Sequence, residues 1–436
     1  MKKLALVLCM LFLAAASAAG QDFIGTLNNA RYKIRVPENW NGELLVYAHG
    51  IYYLERWNPA TQFDFSYADA APGGKGMEDF LLGKGYALAG TTFRGTGFQV
   101  KEGTHDLVSL VGLFKDLVGR PMRTILIGYS MGSLIALKSA EEVPIYDGII
   151  AGCTIGSGTT KIEDLAGVGA LAYATLFGWP ADWGTWYEVR DDISFNAEVL
   201  PVLMSQLSDP NNIPKFEFLR VLLDSPVEGY YQNPGWLFLQ MFGVTEARGE
   251  LEARAKGPIV QNVDHVYALS DSDKGYLLFI GFTAEQIESL LSAMNAATVV
   301  KTAPPQRHYL AEYFDPSGDF RRPVISIHER DDGFIGVYHE SVLRDTVKTA
   351  NKENMFVQAF TGGNWHCGFT GPQLLSAIDA MDYWLDEGKK PGPEFFPEIM
   401  GFLSGYAPPD WPIGAKEACG LRHDGHGDEH RGHGRR

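Results

Sequence analysis

Cysteine, positive charge and long apolar runs are all scarce in this sequence of 436 residues. With only four cysteines the chain is not a small disulfide-stapled scaffold, and no Cys/His spacing makes a structural zinc site. Its 53 Asp and Glu outnumber 37 Lys and Arg, and the net charge of −16 argues against binding nucleic acid or anionic lipid. The composition, 45% apolar and 21% charged, is that of a folded globular protein.

The N-terminus has the pattern of a secretory signal peptide. Lys2 and Lys3 precede an apolar run over residues 4–15, which is too short to span a bilayer, and small residues follow. We expect residues 1–19 to be removed and the protein to be secreted or periplasmic, without a stable membrane anchor. Three cysteines then remain and allow one disulfide, whose partners the sequence does not identify: Cys153, Cys367 and Cys419.

Short apolar runs alternate with helical periodicity in two parts of the chain. Leu44–Ala48 and Arg123–Gly128 are typical of strands buried on both faces, and a helical pattern lies between them. Buried-strand character returns at Pro323–Ile327. This alternation predicts an α/β fold with a mostly parallel central sheet flanked by helices.

The middle of the chain lacks this alternation. Residues 156–320 contain helical stretches and four of the nine tryptophans, and a segment of this length is not a structureless loop. We predict a mainly helical cap at 156–320, inserted before the strand at Pro323–Ile327, and an α/β core formed by residues 20–155 and 321–419. Residues 420–436 are predicted to be a disordered, His-rich tail. The aromatic residues of the cap either line an apolar pocket or pack the cap against the sheet: Trp179, Trp183, Trp186, Tyr187, Tyr230, Tyr231 and Trp236.

The sequence Gly128-Tyr129-Ser130-Met131-Gly132 fits the G-x-S-x-G pattern. It directly follows a predicted buried strand and directly precedes a predicted helix. This context gives a sharp turn that exposes the serine, and the helix N-terminus behind it favours developing negative charge. We therefore predict that Ser130 is a nucleophile.

A serine nucleophile needs a base, and the base needs an acid to orient it. Asp332 follows the strand at Pro323–Ile327 and is the predicted acid, with Asp331 as the alternative. His366 lies in a Gly-rich loop after another predicted strand, Phe356–Phe360, and is the predicted base. Three other histidines remain as alternatives for the base: His308, His328 and His339.

These motifs together resemble the α/β-hydrolase superfamily. The likeness lies in Leu44–Gly50, the serine turn, the acid after Ile327, and His366, and it spans nearly the whole mature chain. More loosely, Pro37–Gly42 and the residues after His366 are similar to secreted bacterial esterase-like hydrolases related to feruloyl esterases and tannases. The serine turn lacks the preceding cysteine of tannase-type enzymes. The resemblance implies an oxyanion hole formed by the backbone N–H groups of Met131 and Ile51.

The expected function is that of a secreted serine hydrolase that cleaves carboxylic esters through an acyl-enzyme intermediate. Tyr52, Tyr129 and Trp365 are expected to contact the substrate, a small-molecule or polymeric ester. No metal, cofactor or nucleic acid is expected, and the oligomeric state is left open. The alternatives are a secreted serine peptidase or amidase with the same triad, and a non-catalytic binding protein on a hydrolase scaffold.

Overall fold

A computed structural model describes residues 20–51, 68–225, 234–263 and 265–412. The predicted signal peptide, the His-rich tail, Cys419, Tyr52, Tyr230 and Tyr231 lie outside these residues. Within the described ranges, no helix combines the length and the apolar character that crossing a membrane requires.

Ten strands and thirteen α-helices are found among the described residues. The strands are β1 (Gln21–Leu27), β2 (Ala30–Val36), β3 (Glu43–Ala48), β4 (Ala87–Thr91), β5 (Arg123–Tyr129), β6 (Gly148–Gly152), β7 (Gly184–Thr185), β8 (Glu188–Val189), β9 (Val324–Glu329) and β10 (Phe356–Thr361). The helices are α1 (Lys75–Gly83), α2 (Val100–Leu117), α3 (Met131–Glu142), α4 (Gly158–Phe177), α5 (Leu200–Leu207), α6 (Ile213–Leu222), α7 (Gly235–Phe242), α8 (Arg248–Ala255), α9 (Asp271–Phe279), α10 (Ala284–Asn295), α11 (Pro304–Phe314), α12 (His339–Thr349) and α13 (Gly371–Glu387).

Eight strands form one sheet in the order β1-β2-β4-β3-β5-β6-β9-β10. Strands β1, β2 and β4 pair antiparallel, and the pairs from β4 onward through β3, β5, β6, β9 and β10 are parallel. A mostly parallel sheet with this order and helices on both faces is the α/β-hydrolase fold, so the predicted fold class is confirmed. The carboxyl ends of β3, β5, β6, β9 and β10 therefore lie along one edge of the sheet.

The central strands are buried on both faces because their side chains alternate between two apolar layers. Leu44 and Val46 of β3 face the layer that contains α2 and α3, whereas Leu45 faces the layer that contains α1 and α13. A continuous apolar run is the sequence pattern that such a strand needs. Packing of this kind holds the strand ends, and the loops that leave them, in fixed positions.

The chain between β6 and β9 is mainly helical and contains α4 to α11, with only the two-residue strands β7 and β8. Helix α4 begins six residues after β6 ends and contacts both α10 and α11. The first turn of this long helix starts near the carboxyl edge of the sheet. Its side chains are therefore placed beside the ends of the central strands.

Candidate active site

Ser130 occupies the sharp turn between β5 and α3. Its φ of 56° is in the left-handed region that side chains rarely adopt, so the turn is strained. The two flanking glycines are required by close packing: a Cβ on Gly128 would lie 2.0 Å from the carbonyl oxygen of Gly132, and one on Gly132 would lie 2.0 Å from that of Ala48. The turn therefore presents the serine hydroxyl at the carboxyl edge of the sheet.

His366 lies between Ser130 and Asp332. The Ser130 hydroxyl is 2.9 Å from His366 Nε2, and His366 Nδ1 is 2.7 Å from Asp332 Oδ2. In this arrangement Nδ1–H donates to the carboxylate and Nε2 accepts from the hydroxyl, which is the tautomer a general base needs. The other oxygen of Asp332 accepts the backbone N–H groups of Phe334 and Ile335, at 2.9 and 3.0 Å. Both oxygens of this buried carboxylate thus accept hydrogen bonds.

Two anchors hold the loop that carries His366. A disulfide joins the next residue, Cys367, to Cys153 at the end of β6. The following N–H, of Gly368, donates to Glu329 Oε2 at 2.8 Å. Burial, followed by the nearby charge of Asp332, raises the pKa of Glu329 to about 7. The two residues that follow His366 are therefore held by a covalent bond to Cys153 and by a hydrogen bond to a buried carboxyl group.

The loop after β3 passes directly beside the serine. A Cβ on Gly50 would lie 3.3 Å from the Cβ of Ser130, a tight contact that the absence of a side chain avoids. His49 stacks on Phe93, and its Nδ1 is 2.6 Å from the carbonyl oxygen of Gly50. Burial lowers the pKa of His49 to about 4, which keeps the ring neutral so that Nδ1–H donates to this carbonyl. The segment expected to supply an oxyanion donor is thus fixed beside Ser130.

A cavity of about 90 Å³ opens beside Ser130. Its walls are apolar apart from a few polar groups, chiefly Ser130, Glu163 and Gln240. Met131 and Ile51, the residues expected to form the oxyanion hole, both line it. The other lining residues include Phe98, Ile155, Ile162, Leu165, Ala166, Leu223, Phe242, Val244, Ala247, Phe334, Ile335 and Tyr338.

Neither of the predicted substrate contacts that the structure describes, Tyr129 and Trp365, lines the cavity. Tyr129 is buried in the core, where it packs edge-on against Tyr47 and Phe369, and it does not line the cavity. Its side chain points away because β5 continues to Tyr129, and alternate residues of a strand face opposite sides. Trp365 is half exposed beside the site and lies 5.1 Å from Trp236, ring to ring, but it does not line the cavity either.

The tryptophans between β6 and β9 do not line the cavity. Trp183 stacks on Tyr173, and Trp179 packs edge-on against Trp183. The rings on the cavity wall are those of Phe98, Phe242, Phe334 and Tyr338, which the sequence analysis did not select. Of the two roles considered for the tryptophans, Trp179 and Trp183 have the packing role.

The alternative acid and bases lie elsewhere. Asp331 pairs with the neighbouring Arg330 at 2.6 Å. His308 is exposed and 3.3 Å from Glu312. His328 is buried behind Asp332, with Nε2 2.9 Å from the Ile335 carbonyl oxygen. His339 is buried and stacks on Tyr338. Only Asp332 and His366 are brought together with Ser130 among the described residues.

Two acidic residues at the site were missed by sequence reasoning. Glu329 is the last residue of β9, and Glu163 lies one turn inside α4. Position at the carboxyl end of a central strand was a signal that could have identified Glu329. Nothing in the local sequence distinguishes Glu163 from a solvent-facing residue of a helix.

One group of potential metal ligands occurs in the described part of the chain: Cys153, His366 and Cys367. The two cysteines are joined in the disulfide. Their sulfur atoms are therefore not thiolates, and this group is not a metal centre.

The chain is similar to several known hydrolases. No family model matches it. An o-phthalyl amidase from Xanthobacter agilis is 22% identical over 430 residues, which cover 85% of this chain and 88% of the amidase. Among solved structures, feruloyl esterase B from Aspergillus oryzae is 15% identical, with 85% of this chain and 80% of that one covered and a TM-score of 0.39. An esterase from Pyrococcus furiosus is 12% identical, with 86% and 90% covered and a TM-score of 0.37. An acylaminoacyl peptidase from Pyrococcus horikoshii is 12% identical, with 81% and 38% covered and a TM-score of 0.35.

Proposed function

We propose that the protein is a serine hydrolase that cleaves carboxylic esters through an acyl-enzyme intermediate. The observation that supports this most directly is the pair of contacts at His366, 2.9 Å from the Ser130 hydroxyl and 2.7 Å from Asp332. Nucleophile, base and orienting acid meet at hydrogen-bond distance, beside a cavity that can take an acyl group.

In the proposed reaction Ser130 Oγ attacks the acyl carbonyl while His366 Nε2 takes its proton. Asp332 accepts the Nδ1–H bond and stabilises the imidazolium. The N–H groups of Met131 and Ile51 stabilise the oxyanion, because the first belongs to the helix N-terminus and the second to the loop held against Ser130. His366 then protonates the leaving group, and a water molecule attacks the acyl-enzyme by the reverse sequence.

The cavity favours short acyl groups. Its volume of about 90 Å³ suits a short chain or a single ring better than a long chain. We therefore expect kcat/KM for p-nitrophenyl esters to be highest for acyl chains of a few carbons and to fall for long chains.

Amide hydrolysis is the second candidate. It is favoured by the 22% identical relative that is named as an amidase and matches along 85% of the chain. The same serine, base and acid would serve, since His366 can protonate an amine leaving group as well as an alcohol.

Matched substrates separate these possibilities. A p-nitrophenyl ester and the p-nitroanilide of the same short acid would be assayed with the wild type, with Ser130→Ala, and with Ser292→Ala as a control at an exposed serine of α10. Ester turnover that exceeds anilide turnover and disappears only in Ser130→Ala supports the esterase. Faster anilide turnover would favour the amidase, and unchanged activity in Ser130→Ala would refute both.

Export to an oxidising compartment is also proposed. The signal-like sequence at residues 1–19 and the Cys153–Cys367 disulfide both support it, because disulfides persist mainly outside the cytosol.

A further inference from the structure

Glu163 is a buried carboxyl group on the wall of the cavity beside Ser130. It belongs to the first turns of α4, and its neighbours on the same wall, Ile162 and Ala166, are apolar. The Oε2 atom has no hydrogen-bond partner among the described residues. A buried carboxyl group without a partner costs free energy, and a cationic ligand in the cavity would offset that cost by pairing with the carboxylate.

The charges around Glu163 leave it without an ion-pair partner. Asp164 pairs with Arg307 at 2.8 Å, whereas Glu252 lies 3.3 Å from Arg248 without a hydrogen bond between them, and Arg248 lies within 4 Å of no oxygen of Glu163. These four groups are the other charged residues that act on Glu163. Three carboxyl groups therefore share two guanidinium groups, and the cluster is complete only with one additional positive charge or one proton.

In the free protein a proton fills this role. Burial raises the pKa of Glu163 to about 8, with Arg248 lowering it and the carboxylates of Glu252 and Asp164 raising it. At pH 7 the free carboxyl group is accordingly neutral. A cationic ligand would displace this proton and pair with the carboxylate.

We propose that Glu163 selects substrates whose acyl group is a short apolar body carrying a protonated amine, with the ammonium paired to the Glu163 carboxylate. This inference rests on the proposed function, because the cavity is taken as the acyl site of Ser130. Apolar walls contact the body of the acyl group, and the carboxylate is the one anionic group that the described wall offers to its far end.

Six nitrophenyl benzoates test the selectivity. They share one leaving group and differ in the ring substituent, which is aminomethyl, ethyl or carboxymethyl. Each substituent is placed at the meta and at the para position, so that two distances from the acyl carbonyl are tested. A rigid ring keeps the amine away from its own carbonyl. We expect kcat/KM for the better aminomethyl isomer to exceed that of its ethyl counterpart by about 10-fold to 100-fold, the range of a charge-assisted hydrogen bond.

The Glu163→Gln variant should reduce this ratio to about one. Glu285→Gln, which makes the same substitution at an exposed position of α10, should keep the wild-type ratio. An unchanged ratio in Glu163→Gln, or a preference for the carboxymethyl ester, would overturn the inference. Because the ethyl ester reports on the reaction alone, either result would leave the proposed hydrolase intact.

Binding of benzylamine gives a readout that does not need catalysis. Calorimetry with Ser130→Ala protein should detect benzylamine binding that weakens at least about 10-fold when Glu163→Gln is added. In two buffers of different ionisation enthalpy at pH 7, binding to the Glu163 protein should release close to one proton, and binding to the Gln variant none. Equal affinities, or no proton release, would overturn the inference even if no ester is hydrolysed.

Discussion

Removing the Cys153–Cys367 disulfide should impair both the stability and the activity of the protein. The bond closes a loop with a sequence separation of 214 residues. The chain-entropy relation gives about 5 kcal/mol for a loop of this length, and measured effects are typically about 2–4 kcal/mol. A loss of about 2–5 kcal/mol in the free energy of unfolding is therefore expected.

The effect on activity follows from the position of Cys367 next to His366. Without the disulfide the backbone of the histidine loop is still held by hydrogen bonds, among them Gly368 N–H to Glu329 at 2.8 Å, Asp331 N–H to the Gly363 carbonyl oxygen at 3.2 Å, and Gly362 N–H to the Gly401 carbonyl oxygen at 3.0 Å. Each is worth only about 1 kcal/mol. Because a displacement of about 1 Å can cost about 100-fold in rate, we expect kcat to fall about 10-fold to 100-fold rather than to vanish.

The assay compares four proteins: wild type, wild type under reductant, the double variant Cys153→Ala/Cys367→Ala, and Cys419→Ala as a cysteine control. Urea unfolding gives the free-energy difference, and hydrolysis of a short-chain p-nitrophenyl ester gives kcat. Reduced wild type and the double variant should behave alike, and the control should match wild type. A double variant that retains wild-type kcat within twofold and unfolds at the same urea concentration would refute this reasoning.

Three further predictions concern single residues. Asp332→Asn should lower kcat about 10⁴-fold with little change in KM, since an amide favours the wrong His366 tautomer; steady-state kinetics test this, and a loss under tenfold would contradict it. In the folded protein the pKa of Glu329 is raised to about 7. Its contribution to the free energy of unfolding therefore falls as the pH rises from about 4.5 to 7. Urea unfolding across that pH range should show the free energy of unfolding of Glu329→Gln rising relative to wild type by up to about 3 kcal/mol. A difference that does not change with pH would contradict the raised pKa of Glu329. Gly132→Ala should yield little folded protein, because its Cβ would meet the Ala48 carbonyl oxygen at 2.0 Å; normal yield and circular dichroism would contradict the packing argument.

Much of the sheet was predictable because buried parallel strands need continuous apolar runs. The expected strands at Arg123–Gly128 and Phe356–Phe360 correspond to β5 and β10. The expected helix after Ser130 corresponds to α3. Strand β1 was not predicted, since it is an edge strand with exposed side chains and carries little apolar signal.

The positions of Ser130, Asp332 and His366 could be expected from the sequence because each follows the end of a parallel strand. Strand ends in a parallel sheet share one edge, so chain order and loop position were enough. Substrate contacts could not be expected in the same way. They depend on which face of α4 and α7 turns toward the serine, and periodicity does not distinguish Trp183, which packs in the interior, from Phe242, which lines the cavity.

Glu163 and the disulfide show a second limit of the sequence. The partner of Cys367 depends on how close the end of β6 lies to the histidine loop, which is a distance between segments far apart in the chain. The isolation of Glu163 depends on Arg307 pairing with Asp164 and on Arg248 lying closer to Glu252. Neither property is local, so the spacing of residues in the sequence does not predict it.

Labelling with a fluorophosphonate, followed by mass spectrometry of the modified peptide, tests the central claim most directly. The reagent reports on a serine that is activated by a base and faces a formed oxyanion site, whatever the natural substrate is. The account predicts one label per chain, located on Ser130, with labelling abolished in Ser130→Ala and strongly slowed in His366→Ala. A label on another residue, or equal labelling of wild type and Ser130→Ala, would contradict it.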